Sequence, residues 1–122
     1  MTKERVVYIN GKITPESQGH LSFRDLGFIY GDAVFDTART FGGKVFRLEQ
    51  HIDRLFHSLT YARINPGMTR DEIFDATMQV LDANMPLLGE NEDYWVTQRI
   101  SAGAKVVDGE DPTQDGATVV IE

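Results

Sequence analysis

The chain has 122 residues, no cysteine, and 19 acidic against 12 basic residues, which gives a net charge of −7. Its length suits one domain, and a hydrophobic fraction of 41% can supply a core. The lack of cysteine excludes disulfides, thiolate metal sites and a cysteine nucleophile, and the acidic balance argues against a nucleic-acid surface. No apolar run is long enough to span a membrane, so we expect a soluble, cytoplasmic domain with no membrane partner.

The first part of the chain predicts a hairpin followed by a compact loop. Asn10-Gly11 lies between the β-prone runs Val6–Ile9 and Lys12–Ile13. Asn-Gly favours a type I′ turn, because both central residues of that turn need positive φ. The segment from residue 22 to residue 32, SFRDLGFIYGD, predicts a tight loop or a single helical turn.

A second hairpin is predicted from a strand over Ala33–Phe41, a turn at Gly42-Gly43 and a return over residues 44–46. Alternation assigns the side chains of the strand to two faces. One face carries Phe35, Thr37, Arg39 and Phe41, and the other carries Val34, Asp36, Ala38 and Thr40. Neither face is purely apolar, which is unusual for a strand in a small domain.

Two helices and two strands complete the predicted order. Apolar residues spaced 4, 3 and 4 apart predict a helix over residues 47–62, with a stripe of Leu48, Ile52, Leu55 and Leu59. Thr69 and Glu72 predict a capping box for a second helix that ends before Pro86. Strands are predicted over Tyr94–Ser101 and Ala117–Ile121, joined by a polar loop over residues 108–116.

The order β-β-loop-β-β-α-α-β-β predicts an α+β fold, with two helices packed on a small antiparallel sheet. The last predicted strand stops at Glu122 without a turn or cap. We therefore expect the sequence to be truncated.

Local motifs provide no self-contained catalytic set. His51 and His57 lie six positions apart on one predicted helix, which does not match the spacing of metal-binding histidines, and we expect no metal site.

Three arginines inside predicted elements, Arg39, Arg54 and Arg99, carry the planar fork of donors that suits a phosphate or a carboxylate. Residue chemistry alone leaves open whether they bind a ligand or pair with nearby acids. It also leaves open whether Tyr30 and Phe35 line a pocket or belong to the core.

Three segments together resemble the class IV aminotransferases, the fold-type IV pyridoxal-phosphate enzymes. They are residues 8–13 (YINGKI), residues 22–36 (SFRDLGFIYGDAVFD) and residues 46–58, where F-R-L-x-x-H-I-x-R-L is the core. This family includes branched-chain and D-amino-acid aminotransferases, (R)-selective amine transaminases and aminodeoxychorismate lyase. The resemblance implies that residues 1–122 are the N-terminal small domain of such an enzyme, without its catalytic C-terminal domain.

The resemblance also implies pyridoxal 5'-phosphate as cofactor and gives roles to five residues. Arg54 matches the arginine that holds the cofactor phosphate. Tyr30 and Phe35 match positions that line the substrate pocket. Arg39 matches an arginine of the branched-chain subgroup, and Arg99 resembles the arginine that reads the substrate carboxylate in the D-amino-acid subgroup. Because these features point to different subgroups, the substrate and its enantiomer stay open.

The family's catalytic lysine, which forms the Schiff base with the cofactor, is expected beyond Glu122. None of the chain's lysines matches its position: Lys3, Lys12, Lys44 and Lys105. We therefore expect this chain to contribute cofactor binding and part of the pocket, but no transamination alone. The expected partners in the complete enzyme are an amino donor, a 2-oxo acid acceptor and a second identical subunit. The alternatives are a lyase of the aminodeoxychorismate type and a non-catalytic dimerisation or binding fragment.

Overall fold

The computed structural model describes residues 4–106 and 116–122. Within these residues the strands are β1 (Val6–Ile9), β2 (Lys12–Pro15), β3 (Ala33–Phe41), β4 (Lys44–Val45), β5 (Trp95–Ser101) and β6 (Thr118–Ile121). The helices are α1 (Leu26–Tyr30), α2 (Leu48–Ala62) and α3 (Arg70–Asn84), with short 3₁₀ turns at Glu16–Gln18 and Met85–Leu87. The predicted α+β class is confirmed.

Local sequence signals account for several of these boundaries. Asn10 and Gly11 have φ of 47° and 94°, so the predicted hairpin turn is confirmed. The capping box is also present, because the side chains of Thr69 and Glu72 each bond the other's backbone N–H. The segment over residues 22–32 contains a single helical turn, α1, which ends at Gly31 in the left-handed conformation. Most of the predicted loop over 108–116 lies outside the described residues.

The described strands form one sheet in the order β2-β1-β6-β5-β3-β4. Its pairings are antiparallel. The longest runs between β3 and β5, from Ala33 opposite Ser101 to Arg39 opposite Trp95. The last of the described strands in sequence order, β6, lies in the middle of the sheet between β1 and β5.

Helices α2 and α3 cover one side of this sheet, which we call the helix face. Its side chains on β3 and β5 are Val34, Asp36, Ala38, Thr40, Val96, Gln98 and Ile100. The predicted stripe of α2 is buried against it: Leu48, Ile52, Leu55 and Leu59. Burial of these apolar side chains is the main stabilising contribution to the fold. None of the helices within the described residues has the length and apolar character that crossing a bilayer requires.

The opposite side of β3 and β5 is not covered by α2 or α3, and we call it the open face. At one end of it α1 packs on Ala33 and Ser101 through Gly27. The open face presents Phe35, Thr37, Arg39, Trp95, Thr97 and Arg99. The Phe35 and Trp95 side chains are 64% and 65% exposed. The mixed composition of β3 noted in the sequence therefore has a structural cause. One face of the strand packs on helices, and the other remains accessible.

Candidate functional site

The open face is built from three directly opposed residue pairs. Phe35 faces Arg99, Thr37 faces Thr97 and Arg39 faces Trp95 across the β3–β5 ladder. The two threonine hydroxyls lie 2.9 Å apart and share a hydrogen bond. Antiparallel pairing brings opposed side chains close together, so two cations, two aromatic rings and two hydroxyls share a small surface.

Arg39 is held in place by an acid and by aromatic rings. Its Nη2 lies 3.3 Å from Asp93 Oδ2, and its guanidinium carbon lies 4.1 Å from the Phe41 ring centre and 5.9 Å from that of Trp95. A hydrogen bond from Thr40 is the main reason that the pKa of Asp93 is lowered, and the charge of Arg39 adds to this effect.

Arg99 is held in the same way. Its Nε donates to Glu122 Oε1 over 2.6 Å, and its guanidinium carbon lies 5.6 Å from the Phe35 ring centre. Both arginines thus have acidic partners, which was one of the readings that residue chemistry left open. Both also keep exposed side chains, at 40% for Arg39 and 54% for Arg99.

Arg54 lies elsewhere, on α2, and contacts the helix face of β3. Its Nε donates to Asp36 Oδ2 over 2.7 Å and its Nη2 donates to Asp36 Oδ1 over 2.9 Å. His51, one helical turn earlier, places Nδ1 2.7 Å from the same Oδ1. Because Asp36 and Phe35 are neighbours on one strand, their side chains point to opposite sides of the sheet. The structure therefore anchors Arg54 on the helix face of β3.

The chemistry of Arg54 fits a phosphate group. A guanidinium has five N–H donors, and the two given to Asp36 leave three for a ligand. The Arg54 side chain is 66% exposed, so a ligand can reach these donors. Hydrogen bonds from Arg54 to Asp36 raise the pKa of Arg54 further, which keeps it cationic. A phosphate dianion is the kind of group that such a fork of donors binds.

Tyr30 is placed by a buried network around Asp25. Asp25 Oδ1 accepts from Gly27 N, which caps α1, while Oδ2 accepts from Ser101 Oγ over 2.8 Å and from Thr118 Oγ1 over 2.6 Å. These bonds fasten α1 to β5 and β6. Tyr30 ends α1 with 68% of its surface exposed.

The structure thus brings together three of the five predicted site residues, Phe35, Arg39 and Arg99. Among the contacts of the described residues, none joins Tyr30 or Arg54 to these three. Over the same residues, no group of three or more His, Cys, Asp or Glu converges as a metal site would require.

The sequence analysis gives Asp36 no role in the site, although it is the residue that holds Arg54. The alternation of β3 already put this acid on a face with Val34 and Ala38. An acidic side chain on a face that helices cover needs a cationic partner. That signal predicts a cationic partner for Asp36, and the structure shows that the partner is Arg54 on the next helix.

Comparison with known proteins agrees with this architecture. The family model described as amino-transferase class IV matches residues 33–120. A putative branched-chain-amino-acid aminotransferase of Methanocaldococcus jannaschii is 38% identical over 78 residues, covering 64% of this chain and 27% of that protein. The D-alanine aminotransferase of Staphylococcus haemolyticus is 30% identical over 84 residues, covering 69% of this chain and 29% of that protein.

A solved structure shares the fold. The PLP-bound form of a hypothetical aminotransferase from Mycobacterium tuberculosis has a TM-score of 0.79 at 19% identity, covering 96% of this chain and 38% of that one. The chain belongs to the class IV aminotransferase family. It spans 27% to 29% of the length of the two curated relatives.

Proposed function

We propose that this chain is the N-terminal small domain of a pyridoxal-phosphate-dependent transaminase. The reaction is amino-group transfer between an amino acid or amine and a 2-oxo acid. The observation that carries the proposal is the Arg54 guanidinium, which is anchored on a buried carboxylate and keeps donors exposed to solvent. Family membership and the cofactor bound in the structural neighbour support the choice of pyridoxal phosphate.

Arg54 is proposed to bind the cofactor phosphate as a fixed cation. When bound, pyridoxal phosphate would supply the electron sink that amino-group transfer needs. On the open face, Phe35 would limit the space for the substrate side chain, and Arg99 would bind the substrate carboxylate with the donors that Glu122 leaves free. Arg39 and Tyr30 would line the same pocket.

The lysine that bonds to the cofactor is proposed to lie outside this chain. Lys12 lies on β2 and Lys44 on β4, the two outermost strands, rather than on the β3–β5 ladder. Lys105 lies beside the start of α1, where its backbone N–H donates to Arg24 O. The chain is therefore proposed to supply binding and orientation, while the proton transfers take place on other residues.

A homodimer is proposed for the complete enzyme. The rings of Phe23, just before α1, and Phe28, within it, are exposed and lie 5.9 Å apart. They form an aromatic patch that an interface could cover. The cytoplasmic location expected from the sequence stays a prediction. Light scattering on the native protein measures the subunit number directly.

The decisive experiment is titration of the native protein with pyridoxal phosphate, followed by the absorbance of the bound cofactor. Arg54→Ala should weaken this affinity by about 2–3 kcal/mol, the loss of charge-assisted hydrogen bonds. Arg70→Ala is the matched control, because Arg70 is an exposed arginine whose partner is Asp53 on α2. Unchanged cofactor affinity in Arg54→Ala would remove the phosphate role.

Activity assays separate transaminase from lyase. Amino transfer from L- or D-amino acids or amines to a 2-oxo acid supports the proposal. Release of pyruvate from aminodeoxychorismate without amino transfer would assign the lyase alternative.

A further inference from the structure

We infer that Asp36 is a positioning residue for phosphate binding, which acts by fixing the Arg54 guanidinium on one edge and directing its free edge to the ligand. This inference rests on the phosphate role proposed for Arg54. Asp36 lies on β3, so the proposed phosphate site includes a residue of β3 as well as Arg54 of α2.

The geometry of the pair is bidentate. Both Asp36 oxygens accept from Arg54, at 2.7 Å from Nε and 2.9 Å from Nη2. Two parallel bonds fix the plane of a guanidinium, whereas a single bond leaves it free to rotate. The contact occupies the Nε edge, so the Nη1 side points away from the carboxylate. A free arginine side chain loses conformational entropy when it binds a ligand. Because Asp36 already holds Arg54 in one conformation, that entropy cost does not fall on ligand binding.

Burial makes the anchor rigid. The Asp36 side chain is 3% exposed, whereas the Arg54 side chain is 66% exposed. The acid is therefore fixed in the sheet and the base extends from it to the surface. A purely surface ion pair would leave both partners mobile.

His51 completes the anchor from the same helix. Its Nδ1 lies 2.7 Å from Asp36 Oδ1 and 3.4 Å from Arg54 Nη2. An ionised carboxylate can only accept, so Nδ1 carries the hydrogen and donates it. Burial acts to raise the pKa of Asp36, but the hydrogen bonds from Arg54 and His51 outweigh it, and the pKa is lowered. Asp36 therefore stays ionised at neutral pH.

The test compares pyridoxal phosphate with pyridoxal, which lacks the phosphate. Dissociation constants for both are measured by titration of the native protein and of its Asp36→Asn, Arg54→Ala and doubly substituted variants. Asp36→Asn should weaken pyridoxal phosphate by about tenfold, as loss of an orienting partner commonly does. Its effect on pyridoxal should stay within about twofold, and it should add nothing in the Arg54→Ala background.

Asp53→Asn is the matched control, because Asp53 precedes Arg54 on α2 but pairs with Arg70. It should leave both dissociation constants unchanged. If Asp36→Asn does not fold, Asp36→Glu keeps the charge and shifts the geometry, and it should weaken pyridoxal phosphate selectively as well.

Equal losses for both ligands, or a loss that persists in the Arg54→Ala background, would show a general structural role and overturn the inference. An effect of Arg54→Ala without any effect of Asp36→Asn would overturn this inference alone and leave the proposed function standing. No effect of Arg54→Ala would overturn both, since Asp36 would then have no ligand-binding group to position.

Discussion

Arg99 lies directly opposite Phe35 across two strands, with its guanidinium carbon 5.6 Å from the ring centre. Its Nε is bonded to Glu122, so its orientation is fixed from a second side. Exposed pairs of this kind contribute little to stability. Substitution of Arg99 should therefore change ligand binding much more than folding.

Arg99→Gln tests whether this arginine binds the substrate carboxylate. The KM for an amino acid should rise about 10- to 100-fold, which corresponds to a charge-assisted hydrogen bond, while an amine without a carboxylate is unaffected. Steady-state kinetics with paired substrates measure the difference. Arg39→Gln is the companion variant on the same face. If it alone produces the selective loss, the carboxylate role belongs to Arg39.

Acid should destabilise the fold through Asp36, whose pKa is lowered. Burial acts in the opposite direction, but hydrogen bonds from Arg54 and His51 prevail. The unfolded chain then takes up a proton at a higher pH than the folded chain. The stabilisation is therefore complete above the ordinary carboxyl pKa of about 4 and is lost as the pH falls through the folded value.

Urea unfolding of the native protein between about pH 7 and about pH 3 measures this dependence. Asp36→Asn should flatten the acid limb of the curve. An identical acid limb in that variant would contradict the assignment to Asp36.

Asp25→Ala should be among the most destabilising substitutions. It removes the acceptor of three hydrogen bonds, from Gly27 N, Ser101 Oγ and Thr118 Oγ1, at a site that is buried. We expect a loss of about 2–4 kcal/mol in the free energy of unfolding. Asp32→Ala, at an exposed acid in the same segment, should cost less than about 0.5 kcal/mol. Equal losses in the two variants would refute the network's contribution.

Gln98→Met should stabilise the protein. Gln98 is fully buried opposite Asp36, and its Nε2 donates to Thr77 Oγ1 over 3.1 Å. Its Oε1 is buried without a hydrogen-bond partner among the described residues. Replacing an unsatisfied amide with an apolar side chain of similar size should add about 1 kcal/mol to the free energy of unfolding. Gln50→Met on the exposed side of α2 is the control, and a destabilised Gln98→Met would contradict the prediction.

Local physics explains how much of the fold could be predicted. The spacing of Leu48, Ile52, Leu55 and Leu59 predicts both the helix α2 and its buried side, because helical periodicity depends only on residues that are close in sequence. The turn at Asn10-Gly11 depends on two residues. Several boundaries shift by a residue. For example, β5 begins at Trp95 rather than Tyr94, since the Tyr94 N–H donates to the Thr40 hydroxyl instead of a backbone carbonyl.

The candidate site was harder to predict from the sequence, because its contacts join distant parts of the chain. Asp25 meets Ser101 and Thr118 across 76 and 93 positions. Asp36 meets Arg54 only once β3 and α2 have packed. Alternation shows which face Asp36 occupies, but not which helix covers that face. Resemblance to a family indicated Arg54 as a phosphate ligand, and the structure adds the residues that hold it.

The central place of β6 has a consequence for how the protein is made. β6 is the last of the described strands in sequence order, yet it joins β1 to β5. Until Thr118–Ile121 leaves the ribosome, the β1–β2 hairpin has no neighbour among the other described strands, and β5 exposes the edge that β6 later covers. Assembly of the sheet therefore waits for the end of this segment, and a nascent chain that stalls before residue 118 presents two open strand edges to chaperones and to other chains.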